Sequence, residues 1–102
     1  MLFSVLAMDG TDEGAPARRA AVRKQHLEAV QAHVDAGRVR LGGAFLDDAG
    51  NMRGSFLLVE GESAAEVRAL MESDIYFTSG VWQSLEVKAF RIAVQNLREA
   101  NP

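Results

Sequence analysis

The sequence predicts an α+β domain in the order β-α-β-β-α-β, and three local patterns carry the prediction. Residues Leu2–Asp9 (LFSVLAMD) are apolar at almost every position. Residues 17–36 repeat apolar side chains at helical spacing and close on Gly37. Ser63-Ala64-Ala65-Glu66 is an S-x-x-E capping box, which announces a second helix after two further strands.

The opening strand lacks the apolar–polar alternation of a half-solvated strand, so both of its faces are expected to be buried. Residues 10–16 hold two glycines, a threonine and acidic side chains, and read as a turn. Pro16 suits the start of a helix, where its missing N–H is not needed. The helix over 17–36 aligns Ala20, Leu27, Val30 and Val34 in one stripe, and Gly37 supplies a left-handed cap.

Strands are expected at 38–46 and at Met52–Glu60, joined by the hairpin-loop residues Asp47-Asp48-Ala49-Gly50-Asn51. The pair Gly42-Gly43 weakens the first of these strands and predicts a bulge, or a close approach to the backbone. The capping box starts a helix over 64–73 that buries Val67, Leu70 and Met71. Residues 75–80 turn the chain, and 81–90 form the fourth strand with Val81, Leu85, Val87 and Ala89 mostly on one face. The tail, 91–102, is expected to prolong that strand and to form a short helix around 94–99. With no repeat and no linker, residues 1–102 read as a single domain with a core of about 1–90 and a C-terminal extension.

The chain of 102 residues is 48% hydrophobic and 25% charged, an ordinary globular balance. It has no cysteine, which excludes disulfides, thiolate chemistry and cysteine-ligated metal sites. The net charge of −3 argues against nucleic-acid binding, which leaves a basic footprint. The longest apolar run, near residues 1–8, is far short of a membrane span and lacks the flanks of a signal peptide. A soluble cytoplasmic protein is the expectation.

This element order is that of the ferredoxin-like sandwich, a four-stranded antiparallel sheet with both helices on one face. The other face would carry apolar side chains from the opening strand. An exposed apolar face of that size is costly in water, so a homodimer packed sheet against sheet is expected.

Few residues carry chemistry. Around the first helix, at 100° per residue, the apolar stripe is centred between Leu27 and Val34. Arg23 falls inside it, Arg19 and His26 lie along its flank, and His33 is further round. A cation aimed into an apolar stripe needs a partner or a pocket. The alternative is that the arginine stems cover the core and snorkel outward. Asp74 follows Leu70 and Met71 on the buried face of the second helix, at its C-terminal end, where the dipole disfavours a negative charge. An Asp74–His26 or Asp74–Arg contact between the helices answers that need. An Asp bonded to an imidazole orients the ring and fixes its tautomer, as acid–base catalysis requires. His26 and His33, i and i+7 apart, are poorly spaced to share a metal. Gly42-Gly43 has no phosphate-loop context, and Ser55 has no hydrolase elbow around it. The aromatics Phe45, Phe56, Tyr76, Phe77 and Trp82 are expected in the core.

Several segments together resemble the YciI-like (YCII-related) family of the dimeric α/β-barrel superfamily. They are the strand ending in Asp9, the run Arg19-Ala20-Ala21-Val22-Arg23-Lys24-Gln25-His26-Leu27, Gly43, the Asp47-Asp48-Ala49-Gly50 hairpin, Gly54-Ser55, and Ser73-Asp74-Ile75-Tyr76 leading to Gly80-Val81. The resemblance spans roughly residues 1–90. It implies a ferredoxin-like subunit that dimerises through its sheet, with a catalytic histidine and aspartate that fall on His26 and Asp74. Asp9, Gly43, Ser55 and Tyr76 lie in the matching segments and complete a substrate-binding set with Arg19 and Arg23. Two departures stand out. Gly43-Ala44 replaces the family's Gly-Pro, and Asp74-Ile75-Tyr76 replaces its Asp-Pro-Tyr/Phe, which leaves the turn after Asp74 less constrained. The wider superfamily includes lactone isomerases, a dehydrochlorinase and monooxygenases, an analogy of fold that does not choose a reaction.

The resulting expectation is an enzyme without metal or redox cofactor. His26 is the general acid or base, Asp74 orients it, and Arg19 or Arg23 holds an anionic or carbonyl oxygen. Isomerisation, elimination or hydrolysis of a small polar, aromatic or lactone-like molecule suits this set. The competing reading is a non-catalytic small-molecule-binding or accessory homodimer that keeps the pocket.

Overall fold

The structure is a computed structural model that describes residues 1–97. Its elements are β1 (Leu2–Asp9), α1 (Ala15–Asp35), β2 (Val39–Leu46), β3 (Met52–Glu60), α2 (Ala64–Glu72), α3 (Ile75–Thr78) and β4 (Trp82–Phe90). The strands form one antiparallel sheet in the order β2-β3-β1-β4.

Side chains alternate across the sheet, so the register sorts them by face. Phe3, Val5 and Ala7 of β1 lie opposite Val59, Leu57 and Ser55 of β3, and opposite Ala89, Val87 and Leu85 of β4. This inner face packs with Val67 and Met71 of α2, Tyr76 of α3, Val81 and Trp82 into one core. The outer positions of β1 fare differently. Leu2 and Leu6 are half-buried and Met8 is 39% exposed, so a single chain buries one face of β1 fully and the other only in part.

The caps explain where the helices stop and start. Pro16 occupies the first turn of α1, and Gly37, at φ 79°, ends it in the left-handed region that disfavours a side chain. Ser63 Oγ accepts from the Glu66 amide at 3.1 Å and starts α2.

Three expectations need correction. Of the two alternatives at Gly42-Gly43, the bulge is absent, since the ladder irregularities in β2 fall between Val39 and Leu41 and between Phe45 and Leu46. The tail leaves β4 at Phe90, and residues 91–97 form no helix; positions 98–99 of the expected helix lie outside the described residues. Phe45 is not a core residue, since it is 38% exposed and meets Phe56 edge-on, at 6.3 Å, on the outer face of the sheet. Residues 90–95 and Leu97 bound a cavity of about 340 Å³ with Leu41 and Leu58, which also point outward, so the tail runs beside this face.

Asp47 organises the β2–β3 hairpin. Its carboxylate accepts from the Asn51 and Ala49 amides at 2.9 and 3.0 Å and from Arg53 Nε at 2.9 Å. The Asn51 amide, with Arg53 next, holds its pKa down from the ordinary 3.8 to about 2. A pKa depressed by folding stabilises the native hairpin above pH 3.8, and that contribution is lost as pH falls through about 2. An NMR titration of the Asp47 carboxyl should give its midpoint near 2; a midpoint near 4 would show the turn unbound in solution.

Candidate active site

The buried face of α1 is not the apolar stripe that its sequence suggests. Ala20, Leu27 and Val34 are exposed, whereas Ala15, Arg19 and His26 are buried and Val22, Val30 and His33 are half-buried. The helix is rotated by roughly a quarter turn from the expected orientation, at 100° per residue. Arg23, expected inside the stripe, is exposed. A polar network explains the rotation.

Arg19 Nη1 lies 2.8 Å from both oxygens of Asp9, and its Nη2 donates to Ser55 Oγ at 2.9 Å. The Arg19 and Asp9 side chains are 6% and 3% exposed, so the pair is shielded from water and from salt. The Arg19 guanidinium also stands 4.7 Å above the centre of the Tyr76 ring, a cation–π contact. Desolvation of both ions is offset here by strong, multiple hydrogen bonds.

Two turns along α1, His26 Nδ1 lies 2.8 Å from Asp74 Oδ1. Asp74 Oδ1 also accepts from the Tyr76 amide at 2.8 Å, as the N-cap of α3. The expected place of Asp74 at the C-terminus of α2 is therefore corrected. Ser73 caps α2, and Asp74 opens a new one-turn helix, where a negative charge is favoured. Ile75 takes the first position of α3, which also suits proline. The carboxylate cap secures the turn without it.

Since the carboxylate only accepts, Nδ1 carries the hydrogen, and Nε2 has no hydrogen-bond partner among the described residues. The imidazole stacks on Tyr76 (centroids 3.7 Å apart, planes at 10°) and meets Trp82 edge-on at 5.7 Å. Trp82 in turn donates its indole N–H to Ser55 Oγ at 3.2 Å. Burial pushes the Tyr76 phenol above its ordinary range, against the fields of Arg19 and Arg23, so it stays neutral.

These groups border a cleft of about 420 Å³ between α1 and strands β2 and β3. Arg19, His26, Ser55 and Tyr76 line its polar side, and Leu27, Val30, Val34, Met52 and Leu57 its apolar side, with Arg23 also on the wall. Gly42 lies opposite Leu57 on the inner face, so a side chain there would project into this space. A larger, more open depression of about 650 Å³ near Gly10 and Thr11 carries no histidine, and its Arg18 is already paired with Asp12 at 2.6 Å.

The structure thus brings together His26, Asp74, Arg19, Ser55 and Tyr76, with Arg23 and Gly43 on the same cleft. Asp9 does not line it, because both of its oxygens are held by Arg19. Arg19 and Arg23 are expected to share one task, and the fold separates them. Trp82 is more than a core residue, and the signal for its second role is the indole N–H, which needs an acceptor when buried.

A family model of the YCII-related domain matches residues 1–91. The chain belongs to the YCII-related family. Among curated YCII-related relatives, Protein YciI of Escherichia coli O6:H1 and of Shigella flexneri are each 31% identical over 97 residues, covering 89% of this chain and 97% of the relative. Among solved structures, 5-chloro-2-hydroxyhydroquinone dehydrochlorinase from Burkholderia phenoliruptrix, in complex with 2,5-dihydroxybenzoquinone, superposes with a TM-score of 0.75 at 28% identity, covering 89% of this chain and 94% of that one. The fold of this YCII-related chain is accordingly the ferredoxin-like α+β sandwich of the dimeric α/β-barrel class. Among its described residues no helix is long and apolar enough to cross a membrane.

Proposed function

We propose that this chain is a small-molecule enzyme that works without a cofactor, with His26 as the general acid or base and Asp74 as the residue that orients it. One observation carries the reading: the 2.8 Å His26–Asp74 contact, with side chains 9% and 7% exposed, sits at a cleft large enough for a single aromatic ring. With Nδ1 held by the carboxylate, Nε2 is the nitrogen that takes a proton from the substrate and returns it. The rings of Tyr76 and Trp82 fix the imidazole plane, so little reorganisation is needed at the moment of transfer.

Isomerisation, elimination or hydrolysis suits one acid–base group with no separate nucleophile. The related dehydrochlorinase, bound to a dihydroxybenzoquinone, supports a hydroxylated or oxidised ring as the substrate class. The test is a screen of small phenols, quinones, lactones and carboxylates for turnover, repeated with His26→Ala. Turnover that survives the substitution would sink the reading.

The same proposal includes a cytoplasmic homodimer formed through the outer face of the sheet, with residues 1–102 as one domain. Met8, Phe45 and Phe90 are 39%, 38% and 42% exposed on that face, and a second subunit would cover them. Multi-angle light scattering at micromolar concentration should give about twice 11.1 kDa; a monomer mass would remove this part of the proposal.

A further inference from the structure

Ser55 has a hydrogen-bond inventory that the fold leaves open. Its Oγ accepts from Arg19 Nη2 at 2.9 Å and from the Trp82 indole N–H at 3.2 Å. Both partners only donate, so they occupy both lone pairs of the hydroxyl. The O–H itself has no acceptor among the described residues. Yet Ser55 is 3% exposed and borders the cleft. A buried donor left without a partner is costly, and donation from a guanidinium polarises the hydroxyl and strengthens it as a donor.

Arg23 is the second open group. Arg18, Arg19, Arg40, Arg53 and Arg68 are each paired with a carboxylate, whereas Arg23 forms no ion pair among the described residues. Among the described residues, no Asp or Glu lines the cleft on which it stands. Facing the apolar side of the cleft, the wall therefore offers an uncompensated cation, Arg23, and a buried hydroxyl donor, Ser55, that lacks an acceptor.

We propose that the Ser55 hydroxyl is the donor that binds a substrate oxygen in this cleft, and that with Arg23 it selects an apolar framework bearing a carbonyl, enolate, phenolate or carboxylate oxygen. The inference rests on the cleft being the ligand site. It gives Ser55 the role of donor and not of nucleophile, because attack would need a lone pair that Arg19 and Trp82 already hold.

The test uses 2,5-dihydroxybenzoquinone and its oxygen-free ring analogue p-xylene. Binding is followed on the wild-type chain, Ser55→Ala, Ser55→Thr and Arg23→Gln, by calorimetry and by the indole N–H resonance of the single tryptophan, Trp82. The quinone should bind the wild type and shift that resonance, since the indole shares the Ser55 oxygen with the bound molecule. Loss of one such hydrogen bond should weaken quinone binding by about tenfold or more in Ser55→Ala, with Ser55→Thr restoring it. Arg23→Gln should weaken it as well and flatten its dependence on salt. Equal quinone affinity in folded Ser55→Ala and wild type would overturn the inference. If Ser55→Ala does not fold, the wild type decides it: equal binding of quinone and p-xylene, binding of neither, or an unmoved indole resonance at saturation would each overturn it. The acid–base reading fails separately, on turnover that survives loss of His26.

Discussion

Replacing Asp9 with asparagine is expected to cost about 3–5 kcal/mol of folding stability, because it leaves the Arg19 guanidinium buried without its counter-charge. The substitution is nearly isosteric, so the effect isolates charge from shape. The Arg19 side chain is 6% exposed and anchored from within α1, so it has no easy route to solvent. In a domain of this size such a loss lowers the thermal midpoint by on the order of 10–20 °C. The ion pair itself need not be worth that much, since desolvation consumes most of its attraction. A double variant, Asp9→Leu with Arg19→Met, should therefore be less destabilised than Asp9→Asn alone. Denaturant titration of the three proteins checks this. A double variant as unstable as the single would place the cost in packing and not in the stranded charge.

The second large effect is on turnover. His26→Ala should lower the rate on any substrate the wild type converts by about 10²–10⁴-fold, the usual contribution of a positioned acid–base group. Removing the imidazole also removes a ring stacked 3.7 Å from Tyr76, so a stability measurement must accompany the assay. Asp74→Asn provides the sharper comparison. Asparagine is as good an N-cap as aspartate, so α3 should keep its start. The amide lacks the charge that supports a donor at Nδ1, so turnover should fall while the fold persists. An Asp74→Asn protein that matches the wild type in rate would reduce Asp74 to a helix cap.

The element order was legible because each signal is local. Pro16, Gly37 and the Ser63 capping box mark helix ends through the backbone groups within a turn of them. The four strands follow from apolar runs and a loop rich in Asp, Gly and Asn. The short helix α3 was missed for the same kind of reason. Its four residues lie too close to the end of α2 for periodicity to separate them, and the cap residue, Asp74, read equally well as the end of the preceding helix. His26 and Asp74 were found as residues that fitted badly where the pattern put them.

What the sequence could not decide was which way α1 faces. Leu27 and Val34 make an apolar stripe by periodicity, but hydrophobic spacing takes no account of what a polar side chain meets across the fold. Asp9 ends β1, ten residues before Arg19, and Ser55 lies a further 36 away on β3. Closing that network rotates the helix, releases Leu27, Val34 and Arg23 to the cleft, and sets His26 against Asp74. The composition, the strand and helix order and the two odd polar residues were properties of the chain. Partnership between charges distant in sequence was a property of the fold, because only burial makes such a partnership strong enough to orient a helix.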